Sequence, residues 1–198
     1  MCGRYYIDPE DDIEALLAIP IAASGMEAKR YGEIRPADTA LVLANNRNKQ
    51  QRLFPMKWGI PRPDGKLLMI NARSETAQEK AAFADSTKNR RCIIPASGYY
   101  EWGKKDKDTG KKQKYAFSQP GSRLIYMAGL YMVEEETHIP YYTILTWDAA
   151  PELAEIHGRM PVILPKNTAM QWLLPDTSYS SLLPLAMGSI IGCNSESI

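Results

Sequence analysis

A mixed α+β fold dominated by antiparallel strands, with a few short peripheral helices, is the class this sequence predicts. Three observations carry that expectation. Short apolar runs rich in β-branched and aromatic residues recur between Asn, Gly, Asp and Pro turn signals. Apolar stripes with helical spacing are few and brief. No repeat, low-complexity tract or linker divides the 198 residues, so a single domain spanning residues 1–198 is expected.

The elements follow in chain order. Asp8 caps a first helix, Pro9 takes its first position, and Glu10, Asp11 and Asp12 face the positive end of its dipole. Ile13, Leu16 and Leu17 form its inward stripe. Ala40–Ala44 and Leu53–Trp58 flank the polar turn Asn45-Asn46-Arg47-Asn48 and read as a hairpin. Leu67–Ile70 is a short buried strand ending at Asn71, and Thr76 with Glu79 form a capping box opening a helix to about Ala84. Strands follow at Cys92–Pro95, Gly98–Trp102, Tyr115–Ser118, Leu124–Val133 and Tyr141–Trp147. Asp148 caps a brief helix carrying Leu153 and Ile156, which Gly158 ends. Met160–Leu164 is a strand and Thr168–Leu174 a short helix. The lysine-rich stretch Lys104–Lys114 holds the turn signal Asp108-Thr109-Gly110 and reads as a solvated hairpin tip.

Composition narrows the function classes. Hydrophobic residues at 44% and charged residues at 24% are ordinary globular values. The net charge of +1 means that a nucleic-acid partner would have to be held by local clusters of arginine. No apolar run approaches the roughly 18–20 residues that span a bilayer, and the N-terminus lacks the apolar region of a signal peptide. A cytoplasmic protein is expected. Cys2, Cys92 and Cys193 stand far apart, with only His138 and His157 to join them, so no zinc site of usual spacing, no metal and no cofactor is expected. Cys92, in Arg91-Cys92-Ile93-Ile94, reads as a small buried thiol.

Three tripeptides share a pattern. Cys2-Gly3-Arg4, Asn71-Ala72-Arg73 and His157-Gly158-Arg159 each set a reactive or polar group two residues before an arginine, with a small residue between. The pattern fits a site that couples chemistry to anion binding, since arginine's planar fork suits phosphate oxygens. Unrelated surface arginines would look the same. Cys2 adds weight. A small second residue permits removal of Met1, which would leave an N-terminal 1,2-aminothiol with both groups near their nucleophilic range. Such a group condenses with an aldehyde through a Schiff base to a five-membered thiazolidine. A frayed terminus with an incidental cysteine is the competing reading.

Larger blocks now carry a resemblance. Cys2-Gly3-Arg4-Tyr5, Trp58-Gly59, Ile70-Asn71-Ala72-Arg73-Ser74-Glu75-Thr76, Cys92-Ile93-Ile94-Pro95-Ala96, Gly98-Tyr99-Tyr100-Glu101-Trp102 and Ile156-His157-Gly158-Arg159-Met160-Pro161 resemble the SOS response-associated peptidase (SRAP) family, in the family's order. The resemblance implies a protein that binds single-stranded DNA, crosslinks covalently to its abasic sites through Cys2, and removes its own Met1 autoproteolytically; a monomer is expected. In that frame Cys2 is the nucleophile and Asn71 orients its amine. Glu101, desolvated in an aromatic strand, shuttles protons. His157, at a helix C-terminus that favours imidazolium, opens the closed sugar. Arg4, Arg73 and Arg159 hold phosphates, while Trp58 and Pro36 form an apolar wedge against flanking bases. Without the resemblance, Asn71 is a strand end, Glu101 a solvent-facing glutamate and His157 a capping residue. The loop Tyr31-Gly32-Glu33-Ile34-Arg35-Pro36 departs from the family pattern, with Glu33 an odd charge near a phosphate track, and the tail after Leu185 matches poorly. Two rivals stay open: an N-terminal-nucleophile amidohydrolase, which would need a Gly-His pair this chain lacks, and a non-catalytic single-strand-binding module.

Overall fold

The strands close on themselves. The computed structural model describes residues 2–62, 64–105 and 109–186, and the backbone of 192–196. In chain order the strands are β1 (Arg4–Ile7), β2 (Gly32–Ile34), β3 (Thr39–Asn45), β4 (Gln51–Trp58), β5 (Ile60–Pro61), β6 (Leu68–Met69) and β7 (Asn71–Arg73). They continue with β8 (Arg91–Ala96), β9 (Gly98–Lys105), β10 (Lys112–Ser118), β11 (Ile125–Val133), β12 (Pro140–Asp148), β13 (Arg159–Pro161), β14 (Ile163–Leu164) and β15 (Gly192–Glu196). Strand β12 pairs with β4, β4 with β3, β3 with β8, β8 with β11, and β11 again with β12. That ring leaves no open edge along its circuit, which is how a β protein avoids edge-to-edge pairing. Strands β7, β13 and β14 extend it. A second sheet in the order β15-β10-β9-β1-β2 lies apart from the ring's pairing.

The ring's interior explains the sequence of its strands. All six residues of β8 are buried, and Ile144, Leu145, Tyr142 and Thr143 of β12 are fully so. A strand covered on both faces reads as a continuous apolar run, which is why Cys92–Pro95 and Tyr141–Trp147 were legible. Most pairings are antiparallel, as expected. β12·β4 and β12·β7 are parallel, and such pairs need long connections that local spacing does not reveal. Gly98, where β9 passes β1, has its place for a steric reason. A Cβ there would sit 2.3 Å from the Phe117 carbonyl oxygen and 2.5 Å from Tyr6 Oη.

The helices are short: α1 (Ile13–Leu17), α2 (Ala84–Asn89), α3 (Pro151–Ala154), α4 (Lys166–Trp172) and α5 (Tyr179–Leu182). Three expected starts are corrected. Asp12, not Asp8, caps α1, with Oδ1 accepting from the N–H groups of Glu14 at 3.0 Å and Ala15 at 3.2 Å. Asp8 instead donates its backbone N–H to Ser97 Oγ. Thr76 and Glu79 lie in successive turns, and the helix begins at Ala84. Asp148 closes β12 while Ala150 precedes α3. β1 and β2 went unforeseen, because their partners lie far away in sequence. Part of the predicted hairpin tip, residues 106–108, lies outside the described residues. Among the described residues no helix is long and apolar enough to cross a membrane.

Candidate active site

Strand pairing gathers the predicted residues at one end of β12. β1 runs against β9 with Arg4 opposite Tyr100, so the chain just before β1 brings Cys2 level with Trp102 and beside Glu101. Parallel pairing of β7 with β12 sets Arg73 opposite Thr146, and antiparallel pairing of β13 sets Arg159 opposite Asp148. Three tripeptides that are remote in sequence thus share one rim.

Cys2 is fully buried, and its Sγ lies 3.6 Å from the Arg4 carbonyl oxygen. Burial pushes its thiol far above the ordinary range, and the Glu101 carboxylate adds to the shift. The thiol is therefore neutral around pH 7. Asn71 donates from Nδ2 to the Cys2 carbonyl oxygen at 2.8 Å. Its buried Oδ1 has no partner among the described residues. The strand carrying Asn71 is pinned one residue earlier, where the Trp58 indole N–H donates to the Ile70 carbonyl at 3.0 Å.

Trp58 corrects an expectation. It is fully buried, 5.2 Å from Tyr5 and 6.2 Å from Tyr142 between ring centroids, so it cannot stack on a base. It supports Asn71 from below. Pro36 is half-buried in a turn closed by the Asp38 N–H to the Arg35 carbonyl, and Ala37 N–H bonds to the Trp58 carbonyl.

Glu101 is 4% exposed, and burial raises its carboxyl above the usual carboxylate range. His157 Nδ1 stands 4.0 Å from Glu101 Oε1. The same nitrogen lies 3.1 Å from the Arg159 backbone N–H and 3.0 Å from the Arg159 carbonyl oxygen. A neutral Nδ1 accepts from the N–H; a protonated one donates to the carbonyl or faces Glu101. The backbone thus sets both a donor and an acceptor against Nδ1. The dipole argument for His157 is corrected, since α3 has only four residues and little aligned dipole to offer. Among the described residues no three His, Cys, Asp or Glu side chains gather as a metal site would need.

The three arginines differ. Arg159 is committed: its guanidinium forms a two-pronged pair with Glu75 at 2.7 and 2.9 Å and contacts Asp148 at 2.6 Å and the Thr146 carbonyl at 2.7 Å. Bonding to Arg159 holds the Glu75 carboxyl below its usual range. Arg4 pairs with Glu33 at 2.9 Å and lies over the Trp102 ring at 5.1 Å. Arg73 is exposed, with no ion pair among the described residues.

The family described as SOS response associated peptidase (SRAP) matches residues 1–189. The chain belongs to this family. The abasic site processing protein YoaM of Bacillus subtilis (strain 168) is 36% identical over 200 residues, covering 93% of this chain and 86% of that protein. The abasic site processing protein YedK of Escherichia coli (strain K12) is 30% identical, covering 98% and 89%. A phage-related protein of Bordetella bronchiseptica superposes with a TM-score of 0.78 at 25% identity, covering 98% of this chain and 94% of its own.

This SRAP chain carries groups at the rim that its sequence did not point to. Glu33 gathers Arg4, Arg35 at 2.8 Å and Lys114 at 3.0 Å. Lys114 also sits 3.6 Å above the Tyr100 ring centroid. Partial burial opposes ionisation of Glu33, yet hydrogen bonds from Lys114 and Arg35 prevail and hold its carboxyl low. Exposed pairs of this kind add about 0–1 kcal/mol each, so the cluster sets geometry more than stability. The oddity of Glu33 in its loop was the one available signal; the pairing of Glu75, inside Asn71-Ala72-Arg73-Ser74-Glu75-Thr76, with Arg159 had none.

Proposed function

We propose that this SRAP chain processes abasic sites in DNA by covalent capture, with Cys2 bonding to the sugar aldehyde of an abasic site in single-stranded DNA. The abasic site processing names of its relatives support the substrate. The observation that carries the mechanism is the grip of Asn71 on the Cys2 carbonyl beside the Glu101–His157 pair.

The chain with Met1 attached has no free amine at Cys2, so hydrolysis of the Met1–Cys2 peptide bond, consuming one water, comes first. The neutral thiol then fixes the order of events. The Cys2 amine attacks the aldehyde carbon, and the carbinolamine loses water to give an imine. The thiol adds across that C=N bond, its sulfur bonding to carbon and its proton passing to nitrogen. One water leaves overall, and nothing is oxidised or reduced. His157 donates the proton that opens the closed hemiacetal, and Glu101, kept protonated over a wider range by burial, relays protons at the amine. Arg73 takes a phosphate.

Intact mass of the protein with an abasic single-stranded oligonucleotide tests this reading. The expected product weighs the sum of both less one water, survives heating without borohydride, and is absent in Cys2→Ala. A stable adduct of undiminished yield in Cys2→Ala, or none with the processed wild type, overturns it. Survival of noncovalent binding in Cys2→Ala separates capture from docking.

A further inference from the structure

At the opposite end of β12, near Pro140, lies a cavity of about 570 Å³, well inside the roughly 300–1,000 Å³ range of small-molecule sites. Pro140 opens the strand that Asp148 closes, and eight steps of extended chain separate the two by roughly 26 Å. None of Cys2, Asn71, Glu101 or His157 lines it. Its apolar surface comes from Phe54 and Met56 of β4, Tyr131 of β11 and Leu173 after α4.

Arg47, Lys49, Lys88 and Arg91 line it, and among the described residues no carboxylate does. Arg91 is the informative member. It is 6% exposed, donates to the carbonyls of Thr177 at 2.8 Å and of Leu174, and lies 5.2 Å from the Trp172 ring centroid. Among the described residues no carboxylate pairs with it. A buried charge is ordinarily paired, and burial alone pushes the Arg91 pKa down. Lys49 and His138, both on the lining, hold left-handed backbone at φ 60° and 58°, conformations that non-glycine residues keep where surroundings enforce them.

We infer that this cavity is a second ligand site, taking a planar molecule with an anionic group: a nucleoside monophosphate. Its base would lie on Phe54, Met56 and Tyr131. Its phosphate would meet Arg91 and the exposed cations Arg47 and Lys88.

Calorimetric titration of the full chain with dAMP, and separately with deoxyadenosine and benzoate, tests the assignment. Wild type binds dAMP, and deoxyadenosine binds about tenfold more weakly because it lacks the anion. The double variant Arg47→Ala/Lys88→Ala, altered only at exposed positions, loses about tenfold in dAMP affinity while its crosslinking to abasic DNA is unchanged. Three results overturn the inference: no dAMP binding at millimolar concentration, equal dAMP affinity in the double variant, or binding of benzoate without dAMP. The outcome is independent of the Cys2 chemistry, whose failure would appear in crosslinking alone.

Discussion

The two ends of β12 treat positive charge differently. Near Asp148, Arg159 is locked by Glu75 and Asp148, and Arg4 shares Glu33 with Arg35 and Lys114. Near Pro140, the cations around the cavity have no carboxylate among them in the described residues. A paired guanidinium has its geometry set in advance and little charge left to offer; an unpaired one keeps its charge for a ligand. Paired groups should therefore govern rate and stability, and unpaired groups affinity. Arg73 is the exception at the Cys2 end, and it should behave like the far end.

The largest effect tests the rate half of that contrast. His157→Ala should slow single-turnover crosslinking by about 10²–10⁴-fold, the usual worth of a positioned general acid, with DNA affinity nearly unchanged. The defect should shrink at acidic pH, where solvent supplies the proton. Rates equal to wild type at neutral pH would make His157 a structural residue.

Arg73 and Arg159 sharpen the comparison. Arg73→Ala should weaken single-stranded DNA binding roughly fivefold and flatten the log–log salt dependence by about 0.7, one phosphate's share of counterion release. Arg159→Ala should leave that slope alone yet cost about 1–3 kcal/mol of stability in urea unfolding, since it strips the Thr146 carbonyl of a donor. Equal slope changes in both variants would erase the distinction between paired and unpaired arginines.

Glu33→Gln converts a paired cluster into an unpaired one. Freed from one carboxylate, Arg4, Arg35 and Lys114 should raise DNA affinity about threefold and steepen the salt dependence. Weaker binding would show that Glu33 instead holds the cations where phosphates need them.

The smallest effect concerns Glu101. Its folded-state pKa is raised by burial, so the stability it contributes is fully present below the ordinary glutamate pKa of about 4.3 and is lost as pH rises through the folded value. Glu101→Gln should therefore be the more stable protein at neutral pH. The gap should close in acid. Urea midpoints across pH measure it, and a constant gap would locate the effect outside ionisation.

The sequence by itself determined the strand-rich class and most strand positions, because apolar runs such as Cys92–Pro95 and Tyr141–Trp147 report burial residue by residue. Cys2, Asn71, Glu101 and His157 stood out only through the blocks that resemble the SRAP family; taken singly they read as a frayed terminus, a strand end, a solvent-facing glutamate and a cap. Helix starts failed where a local signal had a stronger competitor: Asp148 resembled a cap, but its carboxylate is taken by Arg159. Only the tertiary structure decided the rest. Closure of the ring through the parallel contact of β12 with β4 depends on partners more than eighty residues apart, Trp58 and Tyr142. Whether a tryptophan stacks on a base or props a strand, and whether an arginine is spent or free, depends on what packs beside it. Trp58 and Trp102, or Arg73 and Arg159, are alike in sequence and unlike in surroundings, and burial and pairing are properties of surroundings.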